Sequence, residues 1–173
     1  MDACFISYGD VPPASPVVLS VPHAGRCYPE GVRDSLRVPF AALTMLEDRL
    51  IDSVAMAARG GETTLIQQAA RAWIDLNRAE DDRDPMLDDG ARTGHLSAKV
   101  RSGLGLVPRR TTAAGELWRK RLSADDVIAR INAAHRPYHA ALAAALAAAR
   151  ARFGVAVLLD LHSMPPIRGS RTR

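Results

Sequence analysis

Val155-Ala156-Val157-Leu158-Leu159 runs directly into Asp160-Leu161-His162-Ser163-Met164-Pro165. A short continuous apolar run, followed at once by polar and turn residues, predicts a buried strand whose C-terminal end carries side chains out of the core. Pro16-Val17-Val18-Leu19-Ser20-Val21 repeats the pattern and ends in Pro22-His23-Ala24-Gly25. Each strand delivers a histidine at its carboxyl end, where open α/β sheets bind their ligands.

The segments between these strands supply the rest of an α/β domain. A helix is expected from Phe40 to Arg59, with Leu43, Leu46, Leu50, Ile51, Val54 and Ala55 on one face and Gly60-Gly61 closing it. Thr63–Ile66 reads as a second strand, and Trp73–Leu76 as a short third one ending in Asn77-Arg78. Residues 1–15 read as irregular, and 22–38 as a loop punctuated by proline and glycine. Residues 79–115 are polar and too long for a plain connection, so a functional loop region is expected, with a short strand at Gly103–Pro108. Ser123 starts a long helix, with Asp126 completing a capping box. It runs to about Arg152, is kinked or broken at Pro137 and closes at Gly154. The alternation predicts one α/β domain over residues 1–173, a three-layer arrangement with a mostly parallel sheet flanked by helices.

Composition narrows the function. The chain has 47% hydrophobic and 24% charged residues, which fits an ordinary globular protein. The formal charge is only +4, and no basic run is interleaved with aromatics, so no nucleic-acid partner is expected. No apolar stretch is long enough to span a membrane. Two cysteines, Cys4 and Cys27, form no CxxC pair, and free thiols fit a reducing, cytoplasmic setting. Cys27 lacks the context of an activated nucleophile.

Two strand-end imidazoles, His23 and His162, are either hydrogen-bonding loop residues or two ligands of one shared metal site. Asp160 lies two residues before His162, on the same side of the strand, and can orient its ring. Glu47, Asp48 and Asp52 fall on the expected 40–59 helix, with Asp48 and Asp52 on one face. They form either a solvated acidic edge beside Arg49 and Arg59 or the source of a third ligand. His135 and His139 make an HxxxH pair, but Arg136 and Pro137 stand where a metalloprotease motif would carry its glutamate. A hydrogen-bonding or substrate-facing role suits His139 better. Asn77 and Arg78 place an amide beside a guanidinium, a combination suited to a carboxylate. Asp75 can hold the arginine, and Arg71 can reach the same cleft to stabilise an oxyanion.

Together these segments resemble the N-formylglutamate amidohydrolase family. The matching stretches are VVLSVPHAG (17–25), LEDRLID (46–52), Arg71 with DLNR (75–78), GLGLVPR (103–109), RPYHAAL (136–142) and LLDLHSMP (158–165), in family order. The resemblance implies a fold similar to zinc carboxypeptidases, phosphorylase/hydrolase-like enzymes and aspartoacylase. It also implies a metal-dependent hydrolase, with zinc, that splits N-formyl-L-glutamate or a related anionic N-acyl amino acid into formate and the amino acid during histidine degradation. It makes His162 a metal ligand beside His23, and Asn77-Arg78 the grip on the substrate carboxylate, with His139 beside them. Arg71 and Asp160 become the catalytic residues. The HxxE pair of the carboxypeptidase relatives does not carry over, because Arg26 stands three residues after His23. Asp48 is therefore the expected second ligand, with Glu47 as fallback.

The family runs roughly 100 residues further, and the glutamate expected as general base has no counterpart after His162. A truncated, non-catalytic paralogue that binds metal and an anionic small molecule is the alternative. A third reading is a remnant whose open sheet edge is covered by a homo-oligomer or another chain.

Overall fold

A computed structural model describes residues 4–164; Pro165 and the arginine-rich stretch through Arg168, Arg171 and Arg173 lie outside the described residues. In chain order the elements are β1 (Phe5–Tyr8), β2 (Val17–Val21), α1 (Val32–Ser35), α2 (Ile51–Ala58) and β3 (Thr63–Gln67). There follow α3 (Ala98–Arg101), β4 (Arg110–Thr111), β5 (Gly115–Glu116), α4 (Ala124–Arg130), α5 (Arg136–Phe153) and β6 (Val157–Asp160).

The main sheet has the order β1-β3-β2-β6. β2 runs parallel to both neighbours, and β1 is antiparallel to β3. β2 sits between two strands and is buried almost throughout, as its unbroken apolar run requires. Register then fixes the site. Ser20 lies opposite Asp160, so His23 and His162 emerge at the same end of adjacent parallel strands. Val18 and Leu65 join the larger core with Tyr138, Leu142 and Ala149 of α5. Val21 and Ile66 pack in a smaller one with Ala55 of α2.

Several expectations are corrected. The N-terminal segment is not irregular throughout, since β1 adds an edge strand to β3. Helix 40–59 is two elements, a 3-10 turn at Phe40–Leu46 and α2, with Glu47 and Asp48 in the extended break between them. The break is tertiary in origin. Asp48 N–H donates to the His23 carbonyl at 2.9 Å, and Leu50 takes a left-handed φ of 69° before α2 begins. Trp73–Leu76 is a turn and not a strand; Asp75 N–H reaches the Leu106 carbonyl at 2.7 Å instead of a ladder partner. Gly103–Pro108 likewise forms only an isolated bridge, Leu104 to Pro108. β6, expected to be buried, is exposed along its length, with Val157, Leu158 and Leu159 each more than 40% accessible.

The C-terminal helix follows its local signals closely. Ser123 and Asp126 form both bonds of the capping box. Gly154 closes α5 at φ 76°. Pro137 does not break the helix. A π turn over Ile131–His135 precedes it, with Arg136 N–H reaching back to the Ile131 carbonyl. Proline has no N–H to donate, and this wider turn lets the helix continue past the gap.

Candidate functional site

Gly25 permits the first half of the site. A Cβ there would stand 2.0 Å from the Ala69 carbonyl oxygen, because the chain leaving β2 presses against residues 68–69 after β3. This close approach carries His23 inward, where it is almost fully buried. Its Nε2 lies 2.7 Å from Asp75 Oδ1, and its Nδ1 is 3.6 Å from Asp48 Oδ2. His162, leaving β6, mirrors the arrangement. Its Nε2 lies 2.8 Å from Asp160 Oδ2, and its Nδ1 is 3.2 Å from the same Asp48 oxygen. The two rings stand 4.7 Å apart, and Ser163 N–H donates to Asp48 Oδ2 at 3.2 Å.

The chemistry of this donor set follows from the tautomers. A neutral imidazole that donates Nε2–H to a carboxylate has its lone pair on Nδ1. Both lone pairs then face one carboxylate oxygen, an electron-rich arrangement that a cation relieves. The three side chains offer donor atoms all within 4.8 Å of one another. Around a tetrahedral ion bound at ~2.1 Å, donor atoms stand ~3.4 Å apart. The observed 3.2 and 3.6 Å fit such an ion. The Asp75 and Asp160 carboxylates occupy the orienting positions that metal-bound histidines commonly have. Glu47, the fallback ligand, is committed elsewhere, accepting from Tyr28 Oη at 2.6 Å and Arg49 Nε at 2.7 Å. Asp52 pairs with Arg26.

Asp75 joins the two halves of the site. Besides His23 it accepts from Arg71 Nε at 2.8 Å and from the Asn77 backbone N–H at 2.9 Å, and Arg78 Nε is 3.8 Å away. Burial would push its carboxyl up, but the hydrogen bond and charge of His23, and then Arg71, outweigh that and hold it at about 2. Arg78 Nε donates to the Leu104 carbonyl at 3.1 Å. The Asn77 amide nitrogen approaches His162 Nε2 at 3.2 Å. Since Nε2–H is donated to Asp160, this approach is a contact between two donors and not a hydrogen bond. His139, expected beside the substrate, donates Nε2–H to the Leu76 carbonyl at 2.9 Å. Burial, followed by the charge of His135, lowers the pKa of its ring.

The structure thus brings His23, Asp48 and His162 to one point, with Asp75, Asp160, Arg71, Asn77 and Arg78 around it. Sequence reasoning missed the Asp75–His23 bond and the pairing of His135 Nε2 with the Arg78 carbonyl at 2.8 Å. Both join residues more than 50 positions apart, and no local pattern signals them. Cys27 is exposed and free.

A mixed, mainly parallel sheet flanked by helices, with converging histidines and a carboxylate at its strand ends, defines an α/β protein with a candidate metal site. A family model described as N-formylglutamate amidohydrolase matches residues 15–172, and the chain belongs to that family. It is 32% identical over 149 residues to the N-formylglutamate deformylase of Pseudomonas putida, covering 86% of this chain and 52% of the relative. The Pseudomonas aeruginosa deformylase is 30% identical over 151 residues, with the same coverage. The crystal structure of N-formylglutamate amidohydrolase from Ralstonia eutropha JMP134 superposes with a TM-score of 0.84 at 37% identity, over 94% of this chain and 59% of that one. A gene product of Agrobacterium tumefaciens shares the fold alone, with a TM-score of 0.67 at 17% identity, over 99% of this chain and 60% of that one. The chain spans about half the length of the curated relatives it matches.

Proposed function

We propose that this chain forms the metal- and anion-binding part of a metal-dependent hydrolase of N-formyl-L-glutamate or a related N-acyl amino acid, giving formate and the amino acid. One observation carries the reading: both imidazoles are tied by Nε2 to a carboxylate and turn Nδ1 toward Asp48. Two imidazoles and a carboxylate match the protein donor set of catalytic zinc, which is the ion proposed. The three-layer architecture shared with zinc carboxypeptidases belongs to the same proposal.

In this mechanism His23, Asp48 and His162 hold the ion. When bound, zinc supplies Lewis acidity, acidifying water and polarising the formyl oxygen. Asp160 keeps the His162 ring in its ligating tautomer, and Asp75 does so for His23. Asn77 and Arg78 would grip the substrate carboxylate, with His139 beside them, and so orient the formyl group within the site. The Arg71 guanidinium is held by Nε on Asp75, and its terminal nitrogens would stabilise the developing oxyanion.

A second reading is favoured by the carboxylates themselves. Asp48, Asp75 and Asp160 are all engaged in holding the site. Among the described residues, none of these three is free to carry a proton from water to the leaving amine. A non-catalytic paralogue that binds metal and an anionic small molecule keeps everything the geometry supports except that step.

Titration with zinc, followed by a formate-release assay on N-formyl-L-glutamate, tests both readings. Stoichiometric zinc binding that His23→Ala abolishes, together with formate release, supports the hydrolase. Zinc and ligand binding without formate supports the binding protein. No zinc binding by the wild-type chain overturns both.

A further inference from the structure

We propose that His135 and His139 are positioning residues that hold the Asn77–Arg78 pair in place, one imidazole on each side of it. This rests on the reading of Asn77 and Arg78 as the anion grip. His139 Nε2 donates to the carbonyl of Leu76 at 2.9 Å, just before Asn77. His135 Nε2 donates to the carbonyl of Arg78 at 2.8 Å, at the far end of the pair. The turn carrying Asn77 and Arg78 has no strand partner, since the expected strand at 73–76 does not form. Its amides are tied to Asp75 and Leu106, and the imidazoles take the carbonyls of Leu76 and Arg78.

The rings form one unit, with centroids 4.3 Å apart and planes inclined by 42°. Between them in sequence, Tyr138 bonds Ser20 Oγ at 2.8 Å and the Leu65 carbonyl at 3.3 Å. One stretch of helix therefore links β2 and β3 to the anion grip. The π turn over Ile131–His135 sits directly before this stretch, and such turns recur at functional sites. His135 Nδ1 is buried without a hydrogen-bond partner, and the Glu80 carboxylate stays 3.7 Å away. An unpartnered buried acceptor is costly, so the ring is held where it is by what its other nitrogen does. The HxxxH pair does not form a metal site with a third ligand, because the described residues offer one converging donor cluster, His23, Asp48 and His162.

The test compares wild type with His135→Leu, His139→Leu and the corresponding glutamine variants, whose amides can reach the same carbonyls. Calorimetry with N-formyl-L-glutamate and with zinc is paired with amide hydrogen exchange over residues 75–80. Each leucine variant is expected to weaken N-formyl-L-glutamate binding about fivefold to tenfold. Zinc affinity should change by less than about twofold, because the metal ligands are untouched. Exchange over 75–80 should accelerate, and the glutamine variants should restore binding and protection. Should a leucine variant fail to fold, the asparagine variant at that position, polar but too short to reach, is expected to show the same losses. Unchanged exchange and binding in the leucine variants would overturn the proposal. So would a parallel loss of zinc, or failure of glutamine to rescue. If wild type does not bind N-formyl-L-glutamate, or Arg78→Ala leaves binding unchanged, the functional reading fails and the exchange data alone decide the clamp.

Discussion

Asp75 ties together both parts of the candidate site. It is fully buried and accepts from His23, Arg71 and the Asn77 backbone, so one carboxylate sets the proposed metal and anion halves in a common frame. Asp75→Asn leaves shape intact but removes the charge. Zinc affinity is expected to fall ~10–100-fold, measured against a chromophoric chelator. Asp160→Asn should cost less, because Asp160 is about one-third exposed and its partner His162 is also accessible to water. His139 gives the site a pH signature. Burial and then the charge of His135 hold its pKa below the ordinary 6.5, against the bond to the Leu76 carbonyl and the charges of Asp160 and Glu80, which act the other way. The folded state therefore favours the neutral ring. Its contribution to stability is complete above pH 6.5 and declines as pH falls through the lowered folded pKa. Urea midpoints measured from pH 7.5 downward should fall through this window, and His139→Gln should flatten the slope.

Elements whose signals are local were legible in the sequence. The capping box at Ser123 and the αL glycine at 154 both appear where expected. β2 was legible because a central parallel strand must be apolar on both faces. The broken helix at 47–48 was not, since the leucine and alanine periodicity continues through it and only the bond from Asp48 N–H to the His23 carbonyl interrupts it. The same break puts Asp48 at the candidate metal site, so the least legible backbone feature serves the proposed ligand hardest to assign. Trp73 and Ile74 misled for a related reason, because they are buried by packing and not by a ladder. Leu50 holds a positive φ while its side chain is largely exposed. Leu50→Gly should stabilise the fold by up to ~1 kcal/mol, read as a raised Tm. Gly25→Ala forces a Cβ into the Ala69 carbonyl and should destabilise by ~3 kcal/mol, displacing His23 and weakening zinc binding.

The three proposed ligands come from the end of β2, the break before α2 and the end of β6. A bound ion would therefore fasten the sheet edge to its interior. Zinc at about 100 times its Kd should add ~2.7 kcal/mol to stability, seen as a Tm rise that a chelator reverses and His162→Ala abolishes. β6 contributes least to its own retention. Among the described residues it pairs on one side only, with β2, and all four of its residues are exposed. Fraying of this strand and departure of His162 from the other two ligands are one motion. Metal exchange would then keep the tempo of a sheet edge opening: a chelator in excess should strip zinc at a rate independent of its own concentration, matching the opening rate of the β6 amides.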